Sequence, residues 1–236
     1  RRGRSLVLTP AGARRARGFG LAMAELRAGH SELAAWQGRA GGRIVIGAMP
    51  LSRARWLPET IVRFGEACPG VDIAVIEGSY AELAGPLRDG EIDLLLGALR
   101  EDPPVDLHQE AVFQDSPMLI MRAGHPLLTA PDLARVMLSY PWYLPGRETP
   151  LRLYWEAMLE RLDLPVPHVG IECGSVIMVR QLLLAGDGLT LLSPDQVSVE
   201  LQAGILACLP TPVPVQRTIG MITRLGWRPT GDQASL

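Results

Sequence analysis

The chain has 236 residues, 47% of them hydrophobic and 20% charged, which is enough apolar content to bury a core and excludes a disordered segment. Its net charge of -2 is uneven: residues 1–43 hold nine arginines against Glu25 and Glu32, while the rest holds 14 arginines against 23 acids. No apolar run reaches the roughly 18 residues that span a bilayer, no signal core follows the N-terminal arginines, and Cys68, Cys173 and Cys208 are too scattered for a disulfide framework. The expected setting is the reduced cytoplasm, with no membrane contact.

In chain order, Arg1, Arg2, Gly3 and Arg4 read as a turn and Ser5–Leu8 as the closing strand of a hairpin. Thr9-Pro10 then starts a helix, the hydroxyl capping free N–H groups and the proline fitting the first turn. The helix runs to Trp36. Phe19, Met23, Leu26, His30 and Leu33 alternate at three- and four-residue spacing, a heptad seam that pairs with another helix or packs on its own domain. Gly18, Gly20 and Gly29 weaken it in isolation and favour pairing. After a loose Gly38–Gly42 segment come strand 43–48, helix 53–67, strand 71–76, helix 80–88 with Gly90 as its stop, and strand 92–96. This alternation means a parallel α/β sheet. Strands 107–113 and 118–122 follow the Pro103-Pro104 break. A second set comprises strand 142–144, helix 151–162, strand 169–173, helix 175–185, strand 189–192, helix 194–201 and strand 205–209, with a last strand at 219–224. Two such halves imply a bilobed domain with a cleft between them.

The inventory argues against an enzyme and against a metal or cofactor. His30, His108, His125 and His168 never fall at i, i+4, and there is no Cys-x-x-Cys pair. Gly174-Ser175 lacks the flanking glycines of a nucleophile elbow, and Gly18-Phe19-Gly20 lies inside a helix. His125 before Pro126 reads as a turn residue. Architecture for binding remains. In an open α/β sheet, ligands sit beyond the C-terminal ends of the strands, where helix N-termini offer free N–H groups. Three turns qualify: Met49-Pro50-Leu51-Ser52, Pro145-Gly146-Arg147-Glu148-Thr149 and Cys173-Gly174-Ser175. Ser52, Thr149 and Ser175 can serve as plain helix caps, as ligand contacts, or as both. Arg147 can pair a carboxylate or stand as a solvated turn residue. The basic N-terminal segment is either a nucleic-acid contact or a solvated helix face.

These stretches resemble the LysR-type transcriptional regulators over essentially the whole chain. RRGRSLVLTPAG is similar to the wing of that family's winged helix-turn-helix and the start of its linker helix. GGRIVIGAMPLSRARWLPETIVRFGEACPGVDIAVIEG, LRDGEIDLLLGAL, LIMRAGHPL and LLLAGDGLTLLSPDQV are similar to successive units of its effector domain. YPWYLPGRETPLR and TIGMITRLGWRPT are most similar to the galactose-binding-protein regulator branch, and less so to regulators of aromatic-acid catabolism. The resemblance implies two Rossmann-like subdomains of the type 2 periplasmic-binding-protein fold, with a wing remnant at 1–8, a linker helix at 9–40, subdomain I at 41–120 with 216–236, and subdomain II at 121–215. It implies promoter DNA as a partner, with Arg1, Arg2 and Arg4 of the wing on phosphates or in the minor groove. It implies dimers through Phe19, Met23, Leu26 and Leu33, tetramers through the effector domains, and contact with RNA polymerase. A small-molecule effector would meet Met49, Leu51, Ala98 and Leu99 as lining, with Ser52, Pro145, Gly146, Thr149 and Ser175 holding its polar part. The family's DNA-reading helix is expected ahead of Arg1 and a last helix beyond the C-terminus, so the chain reads as a fragment. The alternative is a periplasmic-type solute-binding protein, which shares the two-lobed plan but would carry an export signal and no basic wing.

Overall fold

The computed structural model describes residues 8–37 and 42–236; residues 1–7, with Arg1, Arg2 and Arg4 of the expected hairpin, lie outside the described residues. The helices are α1 (Pro10–Trp36), α2 (Trp56–Ala67), α3 (Tyr80–Arg88), α4 (Leu133–Val136), α5 (Pro150–Arg161), α6 (Val176–Ala185), α7 (Ser198–Gln202) and α8 (Gly231–Ser235). The strands are β1 (Gly42–Ala48), β2 (Val71–Glu77), β3 (Leu94–Ala98), β4 (Leu107–Asp115), β5 (Met118–Arg122), β6 (Tyr143–Leu144), β7 (Ile171–Glu172), β8 (Thr190–Leu192), β9 (Leu206–Leu209) and β10 (Arg217–Arg224). The chain forms two compact units. One runs to Ala111 and resumes at Gly220; the other is Val112–Ile219. Among the described residues no helix is long and apolar enough to cross a membrane.

In the first unit β1, β2 and β3 run parallel within the order β2-β1-β3-β10-β4. Ile44 and Ile46 of β1 face the same side as Leu94 and Leu96 of β3, and Leu57 and Phe64 of α2 close over them. Leu95 faces the other way, into a layer with Ile92 and with Leu83 and Leu87 of α3. A strand covered on both faces reads as a continuous apolar run, which is why LLLGA shows no alternation. Two boundaries differ from the sequence expectation. α2 starts at Trp56 rather than 53, because Ser52 turns back on Met49 and Ala54 on Leu51 before the helix begins. β3 starts at Leu94 rather than 92, because the Asp93 carboxylate accepts the Val45 N–H at 2.8 Å, where a ladder carbonyl would stand.

The second unit is built on antiparallel β8-β5-β9 and on a short parallel β6-β7 pair. Trp142 bridges to Leu189, and Trp142 and Trp155 meet edge to face at 5.2 Å in the centre of its core. The expected strand at 169–173 shrinks to two residues, and the helix expected at 194–201 splits into a 3-10 turn (Pro194–Val197) and α7. His125 is buried, its Nδ1 accepting from the Leu127 N–H and its Nε2–H donating to the Asp187 carbonyl, so it does close a turn. A short helix, α8, is present near the end of the chain with its own capping box, Thr230 and Gln233; the sequence reading placed no helix there.

α1 belongs to the first unit and shows it two different faces. Thr9 Oγ1 accepts the Gly12 N–H, as a cap should. The docked face carries small residues: a Cβ on Gly20 would overlap the Asp89 carbonyl oxygen, and one on Gly90 would come within 2.9 Å of Ala24 Cβ. Gly90, at φ 75°, ends α3 in the left-handed region that suits glycine. Arg27 donates to the Gly90 carbonyl at 3.0 Å, and Arg17 pairs with Asp89 at 3.1 Å. On a flanking face Phe19, Met23, Leu26 and Leu33 are each at least 50% exposed.

Candidate functional site

The three turns singled out from sequence stand at strand ends in both units. In the first unit, Met49 continues β1 by donating to the Leu96 carbonyl at 2.9 Å, which draws the ends of β1 and β3 together. Gly97 then takes a φ of 155°, and a Cβ there would lie 2.6 Å from Met49 Cβ. Only glycine allows this closeness. Met49 and Leu51 are buried, and Ala98 and Leu99 are half-buried. Ser52 is fully buried, its Oγ donating to the Met49 carbonyl at 2.8 Å. It does not cap α2, whose N-cap, Arg55, makes no side-chain cap bond. The Ser52 proton is therefore committed to its own turn, leaving only oxygen lone pairs for a further contact.

In the second unit β6 and β7 lie side by side, Tyr143 opposite Ile171 and Leu144 opposite Glu172. Their following turns are therefore neighbours. Thr149 is the N-cap of α5: its Oγ1 accepts from Arg152 N–H at 3.4 Å and donates to the Gly146 carbonyl at 2.8 Å. Ser175 caps α6, accepting from Met178 N–H at 3.4 Å, and is exposed. Pro145 and Gly146 are half-buried, whereas Arg147 and Glu148 point their surface to solvent. The Cys173 N–H donates to the Leu144 carbonyl at 2.8 Å, tying the second turn to the first. Thus Met49, Leu51, Ser52, Ala98 and Leu99 gather at one strand edge, and Pro145, Gly146, Thr149 and Ser175 at another.

Two further residues are rooted at the first unit's edge. Tyr80 opens α3 directly after β2, and Arg100 follows β3 by two residues. The Arg100 guanidinium carbon sits 4.1 Å from the centroid of the Tyr80 ring. Gln109 clamps the Arg100 backbone, accepting its N–H at 2.9 Å and donating to its carbonyl at 2.8 Å. Arg100 Nε and Tyr80 Oη are both buried with no hydrogen-bond partner among the described residues. Nothing in the sequence marks this contact, because the two residues come together only through the β2-α3-β3 crossover. Next to them, Glu82 accepts the Ser79 N–H and hydroxyl in a capping box, and these bonds hold its carboxyl below the usual carboxylate range. Arg53 is paired with Glu77.

Residues 37–230 match the family model described as LysR substrate binding domain. The HTH-type transcriptional regulator GalR of Pseudomonas putida is 34% identical over 207 residues, covering 87% of this chain and 52% of that protein. The HTH-type transcriptional regulator PcaQ of Agrobacterium fabrum is 28% identical over 213 residues, covering 89% and 68%. The crystal structure of HinK, a LysR family transcriptional regulator from Pseudomonas aeruginosa, superposes with a TM-score of 0.68 at 27% identity, covering 96% of this chain and 79% of that one. The chain spans about half the length of the GalR relative and about two thirds of PcaQ. The two α/β units with their strand-end turns, the helix ahead of them and a family match over four fifths of the residues agree: the chain belongs to the LysR family and carries its substrate binding domain, of the type 2 periplasmic-binding-protein fold.

Proposed function

We propose that the chain is the sensing part of a bacterial, cytoplasmic DNA-binding transcriptional regulator that controls genes of sugar or aromatic-acid metabolism in response to a small molecule. The observation that carries this reading is the substrate-binding-domain match over 37–230 directly behind a helix whose heptad seam its own chain leaves open. Residues 41–120 with 216–236, and 121–215, act as the two effector subdomains. The effector packs on Met49, Leu51, Ala98 and Leu99 and bonds to Ser52, Pro145, Gly146, Thr149 and Ser175, whose neighbouring helix N-termini offer unpaired N–H groups. It shifts the population between two arrangements of the regulator, and by linkage the affinity for promoter DNA. α1 pairs two chains through Phe19, Met23, Leu26 and Leu33, effector domains extend the dimer to a tetramer, and Arg1, Arg2 and Arg4 contact promoter DNA. RNA polymerase is the further partner at the promoter. A solute-binding protein would have no use for the open seam.

Two measurements test this. A melting-temperature screen against sugars, sugar acids and aromatic acids should give one stabilising class, by about 2.7 kcal/mol at a hundredfold excess over the dissociation constant. The double variant Leu26→Asp, Leu33→Asp should lower the oligomeric state in sedimentation while the circular-dichroism spectrum stays that of the folded chain, since both side chains are exposed in the single chain. An unchanged oligomeric state would remove the seam from the mechanism.

A further inference from the structure

We infer that Arg100 and Tyr80 form an anion-reading element at the strand edge of the first unit, so that the effector carries an oxyanion group, a carboxylate or a phosphate. The inference rests on the sensing role proposed above and names the chemistry of its ligand.

The argument is one of unmet demand. Buried N–H and O–H groups in folded proteins nearly always have an acceptor. Here two donors, Arg100 Nε–H and Tyr80 Oη–H, are each buried without one, in side chains that stack with the guanidinium carbon 4.1 Å from the centroid of the phenol ring. The ring face favours the cation but supplies no acceptor atom and no negative charge. Other arginines rooted at this edge are spoken for: Arg53 by Glu77 and Arg55 by Glu59. Arg100 has no carboxylate within ion-pair distance among the described residues, although the exposed Glu101 and Asp102 follow it in the chain. An acceptor that also carries negative charge would meet both donors and the guanidinium together. The position is also prepared. Gln109 holds both polar groups of the Arg100 backbone, and Tyr80 is packed with Leu99 against the buried layer that contains Met49. A cation held at the strand ends next to apolar lining residues suits a ligand with one apolar or hydroxylated body and one charged head.

The test uses ligands that share a skeleton and differ in head group: glucose, gluconate and glucose 6-phosphate, and 4-hydroxybenzamide with 4-hydroxybenzoate. Acetate and inorganic phosphate serve as bare heads. Each is titrated calorimetrically into the chain and into Arg100→Met and Tyr80→Phe, whose ligand-free melting temperatures report whether the fold is intact. Tyr80→Phe keeps the ring and its contact with the guanidinium and removes one hydroxyl. The expected result is that an acid binds the unmodified chain, its neutral counterpart binds at least about tenfold more weakly, and Arg100→Met abolishes that preference. Tyr80→Phe should weaken the acid severalfold and leave the neutral ligand unchanged. Whether gluconate or glucose 6-phosphate carries the effect separates carboxylate from phosphate. Acid binding that is equal in both folded variants would overturn the inference and leave the two donors to an internal water. A neutral ligand that binds as well as its acid would also overturn it, while the sensing role stands. Binding by no member of the panel would overturn the inference and the sensing role together.

Discussion

Strand β10 begins in one unit and ends in the other, and each end carries a buried or half-buried arginine that is held in a different way. In the second unit Arg217 donates directly to Asp115 at 2.6 Å, with both side chains less than 10% exposed. In the first unit Arg224 donates to two backbone carbonyls, Leu87 at 3.0 Å and Ile92 at 2.8 Å, which end α3 and lead into β3. Its carboxylate, Asp93, is spent on the Val45 N–H. The electrostatics follow the geometry. Burial raises the Asp93 carboxyl, against the pull of Val45, Arg224 and Arg27, and burial likewise lowers Arg224. Burial outweighs the mutual attraction of this cation and anion, so each shift favours the neutral form. The lesson is that one strand can be anchored by unlike means at its two ends: a paired charge at one, a helix terminus at the other.

The largest expected effect tests the paired end. Asp115→Ala leaves Arg217 buried and uncompensated, and should cost about 3–5 kcal/mol in denaturant unfolding. The double variant Asp115→Leu, Arg217→Met should recover most of that loss, and failure to recover would mean the pair has a role beyond charge balance. Next, Arg224→Met strips two carbonyls of their donor and should cost about 1–3 kcal/mol. If it cost as much as Asp115→Ala, the contrast between the two ends would disappear. The strand-end turns give smaller effects. Ser52→Ala loses a fully buried bond and Thr149→Ala loses a cap, each about 1 kcal/mol, whereas the exposed Ser175→Ala should lose about half that. The smallest effect has a distinctive sign. Because the folded chain holds the Asp93 proton more tightly than the unfolded chain, wild-type stability relative to Asp93→Asn is greatest below 3.8, the ordinary value, and falls as pH rises through the raised one. A difference in melting temperature that instead grew with pH would show that the Arg224 and Arg27 attractions dominate.

Much of the fold is legible in the residues themselves where the signal is local. α3 begins and ends where its capping residue Ser79 and its stop Gly90 require, and β5 has the expected bounds. α8 shows the same logic unused: Thr230 and Gln233 are a readable capping box at the end of a sequence that otherwise signals no helix. Legibility fails where a side chain takes over a backbone role. Ser52 resembles a helix cap in sequence, yet its hydroxyl closes a turn three residues ahead of the helix. Asp93 displaces the start of β3 in the same manner. The turns at 49–52, 145–149 and 173–175 can be picked out because strand ends announce them. Arg100 and Tyr80 cannot, since 20 residues and a whole crossover separate two positions that are adjacent only in the folded unit.

The seating of α1 on the α3 terminus has a mechanical consequence. Gly20 and Gly90 let two backbones touch with no side chain between them, and Arg17 and Arg27 pin the contact from either side. A joint made of backbone has almost no slack, so α1 turns with the first unit rather than trailing from it. At 27 residues the helix is a rod of about 40 Å, and each degree of rotation delivered at one end moves the other by about 0.7 Å. A bulkier residue at Gly20 would turn a stiff arm into a loose one, with the strand-end turns and the exposed face of α1 untouched.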